Sequence, residues 1–132
     1  MRCLRCGLCC TETEMILTDE DIARIEELGY RREEFARVYK GCLYALKNVN
    51  GKCFFYREGV GCIIYEHRPL GCRAYPVVYS VDERRCVVDD YCPAAHTVTS
   101  EDVERARPLV MKLVAWVRRR LAEHGLRLED VF

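Results

Sequence analysis

Ten of the 132 residues are cysteine, and four of them open the chain as Cys3-x-x-Cys6-x-x-Cys9-Cys10. A two-residue gap lets a pair of thiolates reach one ion while the backbone between them turns around it. Repeating that step places Cys3, Cys6 and Cys9 on one short loop. Gly7 follows the second cysteine, where a tight loop needs a backbone that tolerates positive φ. Disulfides gain little by closing loops this short. The chemistry these residues suit is soft-metal ligation, by zinc or an iron–sulfur cluster.

Adjacent side chains in an extended loop point apart, so Cys9 and Cys10 are not expected to grip one small ion together. Two sites, or one larger cluster, would use both. The remote thiols Cys53, Cys62, Cys72 and Cys92 would then supply the remaining ligands. Eight thiolates divide into two four-coordinate sites, with the partition left open by sequence. Three closely spaced cysteines plus a remote Cys92-Pro93 resemble bacterial ferredoxin ligation, in which one ligand comes from elsewhere in the chain. That spacing and the surplus of thiols favour iron–sulfur over Zn²⁺. The competing use of the cysteines is a disulfide-stabilised interaction module. The opening residues do not form an export-signal apolar region, so a cytoplasmic setting is expected, where clustered thiols bind metal more often than they pair. With 17 Arg against 4 Lys, no Gln and two Asn, a hot source keeps intracellular disulfides in play.

Thiolate clusters accumulate negative charge, since four thiolates on Zn²⁺ leave a formal charge of about −2. Arg68 and Arg73, which bracket Pro69 and Cys72, are cofactor-binding candidates that would offset it and donate hydrogen bonds to sulfur. Their plain alternative is an ordinary ion pair with Glu66 or another carboxylate. Tyr65 and Tyr75 are expected to cover the site and exclude water, and Pro69 and Pro76 to fix turns. Among the histidines, His96 is the best non-thiol ligand, four residues after Cys92, although a thiol-only set is preferred. His67 is expected in solvent and His124 at a helix end, where an imidazolium favours the dipole. No Ser/His/Asp or Cys/His pairing suggests a hydrolytic site.

The elements that must position these thiols point to an α+β fold. A single domain over residues 1–132 is expected, with a cysteine-rich metal-binding loop, short β hairpins and a longer C-terminal helix. Thr18-Asp19-Glu20-Asp21 is an N-cap with acidic residues in the first turn, and Ile22, Ile25 and Leu28 follow at helical spacing. That helix should run over about 18–28 and stop at Gly29. A second helix over about 32–40 would place Phe35, Val38 and Tyr39 on one side, ending at Gly41. Leu43–Val49 and Cys53–Tyr56 flank Asn50-Gly51, a hairpin-turn signal, and Gly59-Val60-Gly61 leads into a strand from Cys62 to Tyr65. Cys53 and Cys62 would sit at strand starts beside tight turns. Val77–Val81 and Cys86–Val88 form another hairpin. The long helix begins near Ser100, presents Val103, Ala106, Val110, Leu113, Val117 and Leu121, and ends by Gly125. Pro108 implies a kink or a start nearer Arg107.

Lys+Arg 21 against Asp+Glu 21 gives a formal net charge of zero, which argues against binding to nucleic acid or to acidic membrane surfaces. Arg118-Arg119-Arg120 spreads around a helix and reads as a solvated face. No apolar run reaches the roughly 18 residues of a membrane span. The motifs Cys3-x-x-Cys6-Gly7-x-Cys9-Cys10, lone Cys53, Cys62-Ile63-Ile64-Tyr65-Glu66-x-Arg68-Pro69, Cys72-Arg73-x-Tyr75-Pro76 and Cys92-Pro93 together resemble the YkgJ-type cysteine-cluster family of zinc- or iron-chelating domains. The resemblance covers about residues 3–93 and implies metal ligation by Cys3, Cys6, Cys9, Cys10, Cys53, Cys62, Cys72 and Cys92. Cys42 and Cys86 fall outside that pattern, and Ala94 replaces the usual glycine after Cys-Pro. The same kinship includes a flagellin lysine N-methylase, so a methylase component or relative is the alternative function it implies. This sequence has no Gly-rich loop for S-adenosylmethionine.

Overall fold

The computed structural model describes residues 14–89 and 95–132. Of the expected ligands, Cys3, Cys6, Cys9, Cys10 and Cys92 lie outside the described residues, as do Gly7, Pro93 and Ala94.

The architecture is α+β. A three-stranded antiparallel sheet has the order β1 (Ile16–Leu17), β3 (Leu43–Leu46), β2 (Ala36–Tyr39). Helix α1 (Asp19–Glu27) follows β1, with Thr18 as its N-cap. The Thr18 hydroxyl accepts from the Asp21 amide, and the Asp21 carboxylate accepts from the Thr18 amide, so two otherwise orphaned donors are satisfied reciprocally. Ile22 and Ile25 bury its apolar side as expected. Gly29, at φ 104°, takes the left-handed conformation just past the helix end.

The expected helix over 32–40 is not formed. Only α2 (Arg32–Phe35) is helical, and Ala36 at φ −121°, ψ 146° turns the chain into β2. Phe35, Val38 and Tyr39 fit a helical repeat, but Ala36–Tyr39 instead pairs along its whole length with Leu43–Leu46. Val38 and Tyr39 suit a pleated strand better than a helix, and the ladder supplies the backbone partners. The expected strand Leu43–Val49 is also divided. Its first part is β3, and only β4 (Asn48–Val49) pairs across Asn50-Gly51 with β5 (Lys52–Cys53). Both turn residues have positive φ, 52° and 79°, as that two-residue turn requires.

Strand β6 (Tyr56–Arg57) pairs with β7 (Gly61–Cys62). The expected strand through Tyr65 ends at Cys62, and Tyr65–His67 forms a 3₁₀ turn instead. Helix α3 (Leu70–Ala74) carries Cys72, and the predicted last hairpin is present as β8 (Val77–Ser80) and β9 (Arg85–Val88). Helix α4 (Ser100–Ala122) starts at its Thr99 cap rather than at Arg107, because Thr99 and Asp102 repeat the reciprocal capping of Thr18 and Asp21. Pro108 therefore lies inside the helix, on an exposed position. Helix α5 (Leu128–Val131) completes the described chain.

The apolar side chains form two clusters. One joins Ala106, Val110, Val114, Val117 and Leu121 of α4 to Leu43, Val77 and Leu128. The other joins Leu17, Ile22, Ile25, Phe35, Leu46, Phe55 and Ile64. Among the described residues, no helix is long and apolar enough to cross a membrane.

Candidate metal centre

The described cysteines separate by cluster. Cys42 and Cys86 belong to the α4 cluster, each 8% exposed. Cys53 is a buried member of the second cluster, and Cys62 and Cys72 are half-buried against that same cluster. Three of the expected thiol ligands thus share one apolar surround, while the two cysteines outside the family pattern do not.

Short elements hold these three. Cys53 closes β5 opposite Asn48, and Cys62 closes β7 opposite Tyr56, so both stand at strand ends rather than the expected strand starts. The two hairpins are linked by Phe54 and Phe55. Their backbones extend each ladder, the Phe54 amide donating to Lys47 O and the Ile63 amide to Phe55 O, both at 2.9 Å. Phe55 is fully buried, with ring centroids 5.1 Å from Tyr30 and 5.8 Å from Phe35. A two-strand ribbon is marginal alone, so this aromatic anchor is what gives Cys53 and Cys62 a fixed surround.

Cys72 stands on the five-residue helix α3, which is tied at three points. At its start, the Leu70 amide donates to Asp21 Oδ1 at 3.2 Å. In its middle, Gly71 is so close to Met15 that a side-chain methyl there would overlap the Met15 sulfur. Just past its end, the Tyr75 hydroxyl donates to Asp89 Oδ2 at 2.8 Å and the Asp89 amide to Pro76 O at 2.7 Å. Met15 is the fifth residue after Cys10, and Asp89 the third before Cys92. Met15 and Asp89, described residues near Cys10 and Cys92 in sequence, thus both contact the helix of Cys72 or the residues just after it.

The supporting residues divide. Arg68 is engaged locally, donating from Nε to Tyr65 O at 2.7 Å and lying 3.8 Å over the Tyr65 ring. Arg73 is exposed on α3. Tyr65 is half-buried, and Tyr75 is engaged with Asp89. His67, His96 and His124 are all exposed. Arg118 reaches the Tyr79 hydroxyl and Arg120 the Cys42 carbonyl, so two of the three consecutive arginines brace the fold.

Among the described residues, no group of three or more His, Cys, Asp or Glu side chains could hold a metal by itself. Cys53, Cys62 and Cys72 border one apolar cluster but do not themselves form such a group. The donors that border their cluster are thiols in an apolar surround, which suits zinc or iron–sulfur and not the oxygen-seeking cations. Sequence reasoning missed Met15, Gly71, Arg24 and Asp89 as supports of the Cys72 helix. It read Asp21 only as first-turn charge, although Thr18-x-x-Asp21 has capping-box spacing.

Uncharacterized protein MJ0661 of Methanocaldococcus jannaschii is 37% identical over an alignment of 90 positions that covers 62% of this chain and 46% of that protein. The chain thus spans about half the length of this curated relative. No solved structure matches it. The matched cysteine pattern runs over residues 2–93, the span of a family model described as "CxxCxxCC: Putative zinc- or iron-chelating domain", and the chain belongs to that family.

Proposed function

We propose that residues 1–132 act as one metal-binding domain whose ligands are Cys3, Cys6, Cys9, Cys10, Cys53, Cys62, Cys72 and Cys92. The observation that carries this reading is the tethering of α3. Met15 packs on Gly71, next to Cys72, and Asp89 is bonded to Tyr75 and Pro76 just beyond it. Five residues span at most about 18 Å and three about 11 Å, so the reading asks no more of the chain than it can reach from Met15 to Cys10 and from Asp89 to Cys92. Membership in a zinc- or iron-chelating family supports a metal partner.

Thiolates suit both metals, and the ferredoxin-like spacing favours iron–sulfur. Zinc would supply a redox-inert cross-link, and an iron–sulfur cluster a one-electron couple. Either way the protein's own residues gather the thiols and keep the surround apolar, with Arg68 and Arg73 as candidates for offsetting thiolate charge. The role is structural, redox or metal-handling, in a cytoplasmic setting.

Anaerobic purification followed by metal analysis and a visible spectrum, before any chelator, tests the reading. Iron with sulfide and visible absorption is the expected outcome, and colourless protein with stoichiometric zinc would assign zinc instead. Cys72→Ser and Cys6→Ser should each lower metal content and thermal stability together. Full occupancy in both variants would overturn the ligand set.

A further inference from the structure

We propose that Asp21 and Arg24 are positioning residues for Cys72, acting from a helix that carries no thiol. The inference rests on Cys72 being a metal ligand, as proposed above. Asp21 is 0% exposed, yet it is a carboxylate. Its Oδ2 accepts from the Thr18 amide at 3.0 Å, which is ordinary capping of its own helix. Its Oδ1 accepts from the Arg24 guanidinium at 2.8 Å and from the Leu70 amide at 3.2 Å. The same Arg24 nitrogen donates to the Arg68 carbonyl at 2.9 Å. One buried carboxylate and one half-buried arginine thus hold the backbone on either side of Pro69, at Arg68 and Leu70, which lie 44 and 49 residues away in sequence.

Capping alone does not call for this arrangement. A capping box needs the Thr18 and Asp21 side chains and nothing from residues 68–70. A helix as short as α3 has little stability of its own, and its side chains are only as fixed as its two ends. Pro69, at its N-cap, is fully buried and has no amide to donate, so the first amide available there is that of Leu70. Asp21 takes that amide, and Arg24 takes the carbonyl just before Pro69. Cys72 follows two residues later. The strap therefore fixes both the entry and the rotation of the helix that presents the thiol, the service that outer partners commonly give a metal ligand.

The test uses the metal-loaded protein as purified anaerobically, and follows metal release to a chromogenic chelator well below the melting temperature. Arg24→Met keeps the apolar stem and removes both hydrogen bonds. Leu128→Ala, in the α4 cluster, serves as a variant of lowered stability with the strap intact. The expected result is release about 10-fold faster or more in Arg24→Met, and near wild-type release in Leu128→Ala at comparable loss of melting temperature. Arg24→Lys, which keeps a cationic donor beside Asp21, should recover most of the retention. Should Arg24→Met fold poorly, Arg24→Gln, too short to hold both Asp21 and the Arg68 carbonyl, takes its place, and amide exchange at residues 70–74 must rise in it and not in Leu128→Ala. Equal release rates at matched stability would overturn the proposal. Cys72→Ser separates the two levels. If it releases metal readily while Arg24→Met does not, only the strap fails; if it retains metal like wild type, the strap and the ligand reading fall together.

Discussion

At the scale of single residues, the ten cysteines are not equivalent, and their surroundings say why. Cys42 and Cys86 behave as small apolar side chains, packed with Val77, Val117 and Leu121 on the α4 side. Cys53, Cys62 and Cys72 border the other cluster. Cys42→Ala and Cys86→Ala should therefore leave metal stoichiometry unchanged and each cost about 1 kcal/mol of stability, the usual size of a small core truncation. Metal analysis beside a thermal melt checks this, and loss of metal in either variant would return that thiol to the ligand set. The spacing of Cys3, Cys6, Cys9 and Cys10 is a signal that sequence can carry, since ligand loops are local, but these four lie outside the described residues. That Cys42 and Cys86 stand apart was legible only through the family pattern. Nothing near either residue in sequence distinguishes a buried thiol from a ligand, because burial is decided by residues far along the chain.

At the scale of elements, what could be read locally was read well, and what depended on distant partners was not. The Thr18 cap and the Asn50-Gly51 turn are short-range devices, and they stand where the residues put them; the Thr99 cap is just as local but went unread. The segment 36–39 has helical spacing but finds its partner in Leu43–Leu46, so the ladder overrode the period. The bond from Leu70 to Asp21 spans 49 residues and leaves no local trace. Pro108 is a different case, a local signal outweighed by its neighbours. The Thr99 cap starts the helix early, and the apolar face from Ala106 to Leu121 carries it through the proline. Pro108 is exposed, so replacing it loses no packing. Pro108→Ala should stabilise the protein by about 2 kcal/mol, the roughly 3 kcal/mol interior penalty less about 1 kcal/mol of regained unfolded-chain freedom. A higher melting temperature at unchanged metal content is the expected result. An unchanged or lower one would mean that α4 packs on β8 and β9 in a form that suits the proline.

At the scale of the whole molecule, the two clusters draw on different sources of stability. The α4 cluster rests on a 23-residue helix packed over the hairpin β8–β9, and it contains no expected ligand among the described residues. The second cluster is bordered by two-residue strands and a five-residue helix, elements too short to persist without support. Its expected ligands are spread from β5 to α3, so a shared metal would join short elements that otherwise rely on the Phe55 anchor and the ties of α3. Metal binding and folding are then linked on that side, because the unfolded chain offers no preformed site. Anaerobic chelation should consequently loosen the molecule unevenly. Amide exchange followed by mass spectrometry should speed up about 10-fold or more across residues 48–62 and 70–74, as local opening becomes easier there. Residues 106–121 of α4 should change far less. Equal acceleration in α4 would mean that the metal stabilises the fold as one unit, with the strands of Cys53 and Cys62 no more dependent on it than the long helix. No acceleration around Cys53, Cys62 and Cys72 would mean that these thiols do not hold the metal at all, and that the N-terminal loop binds it without them.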